Sequence, residues 1–245
     1  MLTKFRDFAI GLSLLVLLWF LAFVFVDRNV VPHPILVVRA MPDLVRHNIF
    51  SHFAHSFFRV FFSLGVSMVA GLAIGIMAGS ETFAKILNPL IYFTYPIPRV
   101  ALLPVVMLVF GFGNASKIIM ISLIIVFPIM LVVRDGVRDI PKEVYNSITC
   151  LGASKFQVFV VITLPWAAAS IFSTLRLSLG TAIAILFFTE TYGTDYGMGF
   201  FIMDMWRRIN YVMMFAGIAA LSFAGFMFFA AIDVIESRVL RWKRV

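Results

Sequence analysis

Long apolar stretches with very little charge recur along the chain, and shorter polar segments separate them. A helix needs about 20 apolar residues to cross the roughly 30 Å hydrocarbon layer with every backbone group bonded internally. Five stretches meet this requirement directly, and a sixth is taken from the longer apolar run Val158–Phe188. The pattern therefore predicts one all-α transmembrane domain over residues 1–245, with spans at about 8–26, 57–79, 90–111, 115–133, 168–189 and 211–232.

Composition excludes the other classes of protein. The chain is 62% hydrophobic and 13% charged, whereas about a quarter of the residues in a soluble domain are charged. A disordered chain and a disulfide scaffold are also excluded, because hydrophobicity is high and Cys150 is the only cysteine. The segments between the spans are too short to hold a hydrophilic domain, so we expect neither a catalytic domain nor an enzyme.

The distribution of basic residues predicts the orientation. When the segments are assigned alternately to the two sides, the side that holds both termini receives the larger share of Lys and Arg. Cytoplasmic loops carry this excess, so both termini are predicted to be cytoplasmic. The net charge of +8 is explained by basic residues that meet anionic lipid, and nucleic acid is not an expected partner.

Motifs for nucleotide or metal chemistry are missing from the sequence. It has no Gly-x4-Gly-Lys-Ser/Thr, no His-Glu-x2-His and no Cys-x2-Cys. The nearest approach to a metal set is His47, His52 and His55, which have no neighbouring acid and are more often incidental. We expect no metal and no cofactor on this chain, and we assign no role to Cys150.

Three charged residues within or at the end of the predicted spans are candidates for function, because a charge in the membrane costs a few kcal/mol and usually faces a bundle interior or a cavity. Arg176 either extends to the cytoplasmic headgroups or makes an inner-gate or loop-anchoring contact. Glu190 either forms a structural pair or lines a pathway. Arg99, beside a cluster of prolines, is a candidate to help an anionic solute across.

The proline cluster Pro96, Pro98 and Pro104 should break or kink the third span, since each proline lacks a donor and clashes with the preceding turn. Irregular backbone at this depth is tolerated only where protein covers it or where it lines a watery cavity. We therefore place this span beside a translocation path. The candidate path residues are Pro96, Pro98, Arg99, Pro104, Arg176 and Glu190.

Small residues recur every four positions in the second span, at Ser67, Gly71, Gly75 and Gly79. This spacing puts them on one helical face, and such stripes let two backbones approach closely in lipid. We favour helix packing over a pore lining for this stripe.

The segment 134–165, here called the coupling loop, is the most charged part of the chain. Within this loop Pro141 is followed by Gly152, and nine residues separate Gly152 from Ile162-Thr163-Leu164-Pro165. This spacing resembles the EAA loop of binding-protein-dependent ABC importer permeases, E-A-A-x3-G-x9-I-x-L-P. The glutamate of that motif falls on Asn146, and its two alanines fall on Ser147 and Ile148.

The resemblance extends through most of the chain and is to permeases of the nitrate/sulfonate/taurine type. It is carried by Pro96-Ile97-Pro98, Ala101-Leu102-Leu103-Pro104, Leu151-Gly152-Ala153-Ser154 and Gly197-Met198-Gly199, which occur in the family's order. It implies the type I ABC importer fold: six transmembrane helices with a cytoplasmic coupling helix, in the cytoplasmic (inner) membrane. The implied function is inward movement of a small solute by alternating access.

The same resemblance implies the partners. Two ATPase subunits would bind ATP and Mg inside, a solute-binding protein would deliver solute outside, and a second identical or related permease would complete the pair. A short helix between Pro141 and Gly152 suits docking into a groove of the ATPase, and Asn146 would give that contact at most a neutral hydrogen bond. The expected ATPase-coupling residues are Glu143, Asn146, Ser147, Gly152, Ala153, Ser154, Leu164 and Pro165.

A second class of function stays open on the sequence. In a self-sufficient secondary carrier or channel, Arg176 and Glu190 would carry gating or ion coupling, and no ATPase would be needed. The transported solute is not specified by either interpretation.

Overall fold

The computed structural model describes residues 2–26, 30–94 and 96–239, and every regular element in these ranges is a helix. The helices in chain order are α1 (Leu2–Phe25), α2 (Pro34–Ala40), α3 (Ile49–Gly79), α4 (Glu81–Thr94), α5 (Leu103–Phe110), α6 (Asn114–Arg138), α7 (Lys142–Thr149), α8 (Lys155–Val158), α9 (Leu164–Glu190), α10 (Met198–Arg207) and α11 (Tyr211–Val239). Short 3₁₀ helices cover Met41–His47 and Arg99–Leu102, and a π-helical turn covers Phe159–Thr163.

Three of these helices are long and apolar enough to cross a membrane within the described residues: Ile49–Gly79, Asn114–Arg138 and Tyr211–Glu236. A fourth span arises if Phe83–Thr94 and Arg99–Phe110 are taken together, although the two segments are bent by 82° relative to each other. The all-α membrane architecture is confirmed at this level. The number of six spans stays a prediction.

The described residues of Met1–His55 and Asp195–Ala224 form one compact unit, and those of Ser56–Thr194 and Gly225–Val245 form another. In the first unit, the indole of Trp19 on α1 stacks on Phe215 of α11 at 5.7 Å. The Gly197 N–H donates to Nδ1 of His52 at 3.1 Å, which joins the start of α10 to α3. This hydrogen bond is buried.

The core of the second unit is built around α6, which contacts α9 along its length. One cluster of buried apolar residues joins α3, α6 and α9 through side chains such as Leu64, Ile125 and Leu186. A second cluster includes Val133, Val137 and Ile171. Because apolar bulk alone gives little drive to associate in lipid, close packing has to hold these helices together.

The small-residue stripe supplies that close packing between α3 and α6. A Cβ atom built on Gly71 would lie 2.6 Å from Cγ2 of Ile129, and one built on Gly79 would lie 2.8 Å from Cβ of Val137. The Ser67 hydroxyl donates to the Ser122 carbonyl at 3.2 Å. The stripe therefore faces a neighbouring helix, as helix packing requires.

Candidate functional site

The coupling loop contains a short, sharply ended helix. Pro141 precedes α7 with extended backbone (φ −60°, ψ 139°), and Gly152 follows it with a φ of +81°. The N–H of Gly152 donates to the Thr149 carbonyl at 3.0 Å, and the N–H of Ala153 donates to the Ile148 carbonyl at 3.3 Å. This pair of bonds is the Schellman ending of a helix, which requires a left-handed residue and favours glycine there. The short helix expected between Pro141 and Gly152 is present.

The surface of α7 is open. None of its side chains is buried, and Glu143, Asn146 and Ser147 are all exposed. Leu151 is 86% exposed and Phe156 is 73% exposed on the chain that follows. A polar loop that presents a large aliphatic and a large aromatic side chain to solvent is typical of a protein interaction surface.

A continuous helical path links the loop to α9. Ser154 begins α8 with a capping box, in which its hydroxyl accepts from the Gln157 N–H and the Gln157 side chain accepts from the Ser154 N–H. The path continues through the π-helical turn into α9, where Leu164 and Pro165 occupy the first turn. Pro165 has no N–H to donate, and it follows the π-helical turn, at whose end the Leu164 N–H donates to the Phe159 carbonyl.

One side-chain contact fixes α7 to this path. The hydroxyl groups of Tyr145 on α7 and Thr163 on the π-helical turn lie 3.3 Å apart, and Thr163 is buried. This contact connects α7 to the segment that leads into α9.

The proline cluster separates α4 from α5. Pro96 and Pro98 are exposed in the connection, and Pro104 lies in the first turn of α5. The Arg99 guanidinium stacks 3.6 Å above the Phe127 ring, and its Nη2 donates to the Thr94 carbonyl at 3.3 Å. A cavity of about 570 Å³ borders Pro104 and is lined mainly by apolar side chains. Of the three prolines, Pro104 alone borders this cavity.

Glu190 belongs to a buried polar cluster. Nη1 of Arg59 donates to Oε1 of Glu190 at 2.6 Å, and these side chains are 3% and 0% exposed. The Ser56 hydroxyl lies 2.9 Å from both carboxylate oxygens. Nε of Arg59 also donates to Oδ1 of Asn114 at 2.9 Å, and its Nη2 donates to Oγ1 of Thr194 at 3.3 Å. The geometry gives Glu190 the structural pair considered from the sequence.

Lys117 is a second buried cation in the same unit as Arg59 and Glu190. Its Nζ donates to the carbonyls of Phe112 at 2.6 Å, Gly113 at 3.4 Å and Gly193 at 3.2 Å. It joins the turn before α6 to the chain that follows α9. No sequence pattern predicted a role for Arg59 or Lys117. Arg59 and Glu190 are 131 positions apart, so no local pattern could pair them.

Arg176 has acidic partners on α11. Its Nη2 contacts Asp233, and it donates to Oε2 of Glu236 at 3.0 Å. The Arg176 and Asp233 side chains are about half exposed, at 45% and 57%. This contact ties α9 to the C-terminal part of α11 instead of leaving the guanidinium unpaired.

Comparison with known proteins agrees with these features. The family model for the inner membrane component of binding-protein-dependent transport systems matches residues 67–241. The chain is 28% identical over 209 residues to the taurine transport system permease protein TauC of Escherichia coli (strain K12), with 85% of this chain and 76% of that protein covered. It is 29% identical over 220 residues to the putative aliphatic sulfonates transport permease protein SsuC of Bacillus subtilis (strain 168), with 89% and 80% covered.

The fold is similar to a chain of the MetNI methionine ABC transporter in an inward-facing conformation. The TM-score is 0.59 at 17% identity, and the match covers 83% of this chain and 96% of that one. At this identity the similarity concerns the fold alone. The matched family model and the all-α membrane architecture agree with this fold, and the relatives are transport permeases and not enzymes. The chain therefore belongs to the family of binding-protein-dependent transport system inner membrane components, the permease subunits of ABC importers.

Proposed function

We propose that this permease moves a small solute inward by alternating access, and that the coupling loop is its contact with a separate ATPase subunit. The observation that carries the proposal is the open surface of α7, which has no buried side chain and is followed by the exposed Leu151 and Phe156. Fully burying a leucine or phenylalanine side chain gains about 1.5–3 kcal/mol each. A groove on the ATPase that covers both residues would recover this free energy.

The connection from α7 to α9 supports the mechanical part of the proposal. When ATP closes the two ATPase subunits, a docked α7 is displaced with them. The Tyr145–Thr163 contact and the helical path from Lys155 to Glu190 would carry that displacement into the membrane. ATP and Mg would then be bound by the ATPase and not by this chain.

The loop residues have distinct proposed roles. Glu143, Asn146 and Ser147 would contact the ATPase, and the left-handed Gly152 would end the docking helix. Ala153 and Ser154 would redirect the chain, and Leu164 and Pro165 would begin the driven helix. Asn146 offers only a neutral hydrogen bond, so Asn146→Glu should strengthen a contact with a cationic groove.

We further propose that the loop and both termini are cytoplasmic, that two permease chains act as a pair, and that a solute-binding protein supplies the solute. Relatives named for taurine and aliphatic sulfonates make a small sulfonate-type anion the first candidate solute. The candidate path residues remain Pro96, Pro98, Arg99, Pro104, Arg176 and Glu190, with Arg99 as the candidate contact for an anionic solute. Release of a ligand without a sulfonate or other anionic group from the partner binding protein would refute the proposed solute class.

The test uses the intact transporter with its ATPase subunits. The double variant Leu151→Ser/Phe156→Ser should lose the ATPase during purification and lose ATP-driven uptake. The matched control is Ile209→Asn, which removes an apolar side chain that is 73% exposed outside the loop, at a positive φ of 57° that Asn accepts.

Two results would overturn the proposal. One is a loop variant that keeps the ATPase and normal uptake. The other is solute transport by the purified permease alone in liposomes, which would favour the secondary carrier or channel, with Arg176 and Glu190 as its coupling residues.

A further inference from the structure

A second cavity, of about 640 Å³, lies between α4 and the C-terminal end of α6. Its lining combines two arginines, Arg134 and Arg138, with the amide of Asn88 and the aromatic side chains of Tyr92 and Phe93. Arg134 and Arg138 lie at the start of the coupling loop, before the docking helix α7, and the candidate path residue Pro96 also borders the cavity. The combination of cationic, amide and aromatic groups in one cavity requires its own explanation.

The position along α6 places the cavity at the membrane boundary. The helix is uniformly apolar from Leu123 to Val133, and the charged sequence Arg134-Asp135-Gly136-Val137-Arg138-Asp139 follows. Lipid phosphates lie at this level, just beyond the hydrocarbon layer. Tyr92 is 76% exposed at the mouth, and tyrosine is enriched at membrane–water interfaces.

The two guanidinium groups keep donors available. Nε and Nη2 of Arg134 both lie 2.8 Å from Oδ1 of Asp135, and Nη2 of Arg138 donates to the Ala78 carbonyl at 3.4 Å. Among the residues that the structure describes, Nη1 of either arginine has no hydrogen-bond partner. Asp135 offsets the charge of Arg134, so Arg138 provides the surplus positive charge in the cavity. A phosphate group matches this arrangement of N–H donors.

Asn88 adds a requirement that a phosphate alone does not meet. Its Oδ1 is buried and has no hydrogen-bond partner within the described part of the chain, and a buried polar atom without a partner is costly. This oxygen needs a donor. A phosphodiester that carries a free hydroxyl supplies both functions: its phosphate accepts from the arginines, and its hydroxyl donates to Asn88.

The outer surface of α4 continues from the cavity as an apolar strip. Ile86, Leu90 and Phe93 are 70%, 60% and 75% exposed, and their spacing places them on one helical face. Acyl chains can lie along this strip while the headgroup occupies the cavity. A soluble anion would leave the strip unused.

We propose that this cavity is a binding site for an anionic phospholipid with a hydroxyl-bearing headgroup, of the phosphatidylglycerol type. Its phosphate contacts Arg134 and Arg138, its hydroxyl contacts Asn88, and its acyl chains follow α4. Basic pockets between membrane helices are a recurrent solution for anionic lipid headgroups. Bound lipid would also cover the gap between α4 and α6.

The experiment is native mass spectrometry of the intact transporter in detergent, titrated with phosphatidylglycerol, with phosphatidylcholine of the same acyl chains, or with glycerol 3-phosphate. We expect retention of phosphatidylglycerol over phosphatidylcholine. The variant Arg134→Gln/Arg138→Gln should bind phosphatidylglycerol about 30-fold more weakly, and Asn88→Asp should weaken it by placing a negative charge beside the phosphate. Arg39→Gln, at an exposed arginine in the last turn of α2, should bind as the original chain does.

Asn88→Asp keeps the lipid test decisive if the double variant does not fold, because it changes a single polar group and keeps both arginines. Equal retention of phosphatidylglycerol by both variants and the original chain would overturn the proposal. So would equal retention of phosphatidylcholine, which would indicate acyl-chain binding alone. If glycerol 3-phosphate binds and phosphatidylglycerol does not, the cavity is a site for a soluble anion and the proposal is wrong. If neither the original chain nor any variant retains lipid, a neighbouring subunit fills the cavity and the proposal is also wrong.

Discussion

Gly75 lies so close to the backbone of α6 that a single added methyl group should push α3 and α6 apart. A Cβ atom at this position would be 2.7 Å from the carbonyl oxygen of Met130 and 2.7 Å from Cβ of Val133, whereas ordinary contacts begin at 3.4 Å. Because one of these atoms is backbone, no side-chain rotation can relieve the overlap. The two helices have to separate by about 0.7 Å in the variant Gly75→Ala.

The expected loss follows from two opposing terms. Overpacking a close-packed contact costs about 1–3 kcal/mol, and replacing a helical glycine by alanine returns about 0.5–1 kcal/mol. Because the overlap at Gly75 is with backbone, the upper part of the overpacking range applies, about 2–3 kcal/mol, and the net destabilisation is about 1–2.5 kcal/mol. A chain of this size changes its Tm by about 2–4 °C for each kcal/mol, so we expect Gly75→Ala to lower the Tm by about 2–10 °C.

The same helix offers a matched control. A Cβ atom on Gly65 would meet nothing within 4 Å, so Gly65→Ala should keep the Tm or raise it slightly through helix propensity alone. The assay is thermal unfolding of the intact transporter in detergent, followed by intrinsic fluorescence. Equal Tm values for Gly75→Ala and the original chain, or equal losses in both variants, would refute close α3–α6 packing as the role of the stripe.

Four further substitutions, in two pairs, test the buried charge and the loop. Glu190→Gln should lower the free energy of unfolding by about 3–5 kcal/mol, because it leaves the Arg59 cation buried without its counter-charge. Arg176→Gln should lower it by less than about 1 kcal/mol, because that pair is half exposed. Urea unfolding of the intact transporter compares the two variants, and similar losses would contradict the difference in burial. Gly152→Ala should weaken ATPase retention, because the φ of +81° costs a side-chain-bearing residue about 1–2 kcal/mol. Gly152→Asn should weaken it less, because asparagine adopts this backbone conformation more readily. Full retention by Gly152→Ala would show that this backbone conformation is not needed for docking.

Patterns local in the chain predicted much of the coupling loop and the broken span. Pro141 and Gly152 bound α7 because each restricts or permits the backbone conformation of its own residue. Pro96 and Pro98 separate α4 from α5 for the same reason. The helical spacing of Gly71, Gly75 and Gly79 likewise defined a shared face before any partner helix was known.

Contacts between distant positions could not be obtained in this way. Sequence reasoning weighed Glu190 alone, yet its partner Arg59 lies on another helix. No sequence pattern predicted a role for Lys117, and its three carbonyl partners come from turns that only the fold brings together. The cavity at Asn88 and Arg138 combines two helices in the same way. None of these pairings follows from residue spacing within one helix.

The sequence by itself determined the membrane class, the helical architecture and the family. These follow from apolar runs, helical periodicity and motif spacing, and each of these patterns is contained within about 20 neighbouring residues of the chain. Only the tertiary structure decided which charges are neutralised and which side chains stay open to a partner. The physical reason is that a buried charge is stabilised by atoms brought to it by other helices, such as Arg59 at Glu190. Exposure, as at Leu151 and Phe156, likewise depends on what the rest of the fold leaves uncovered.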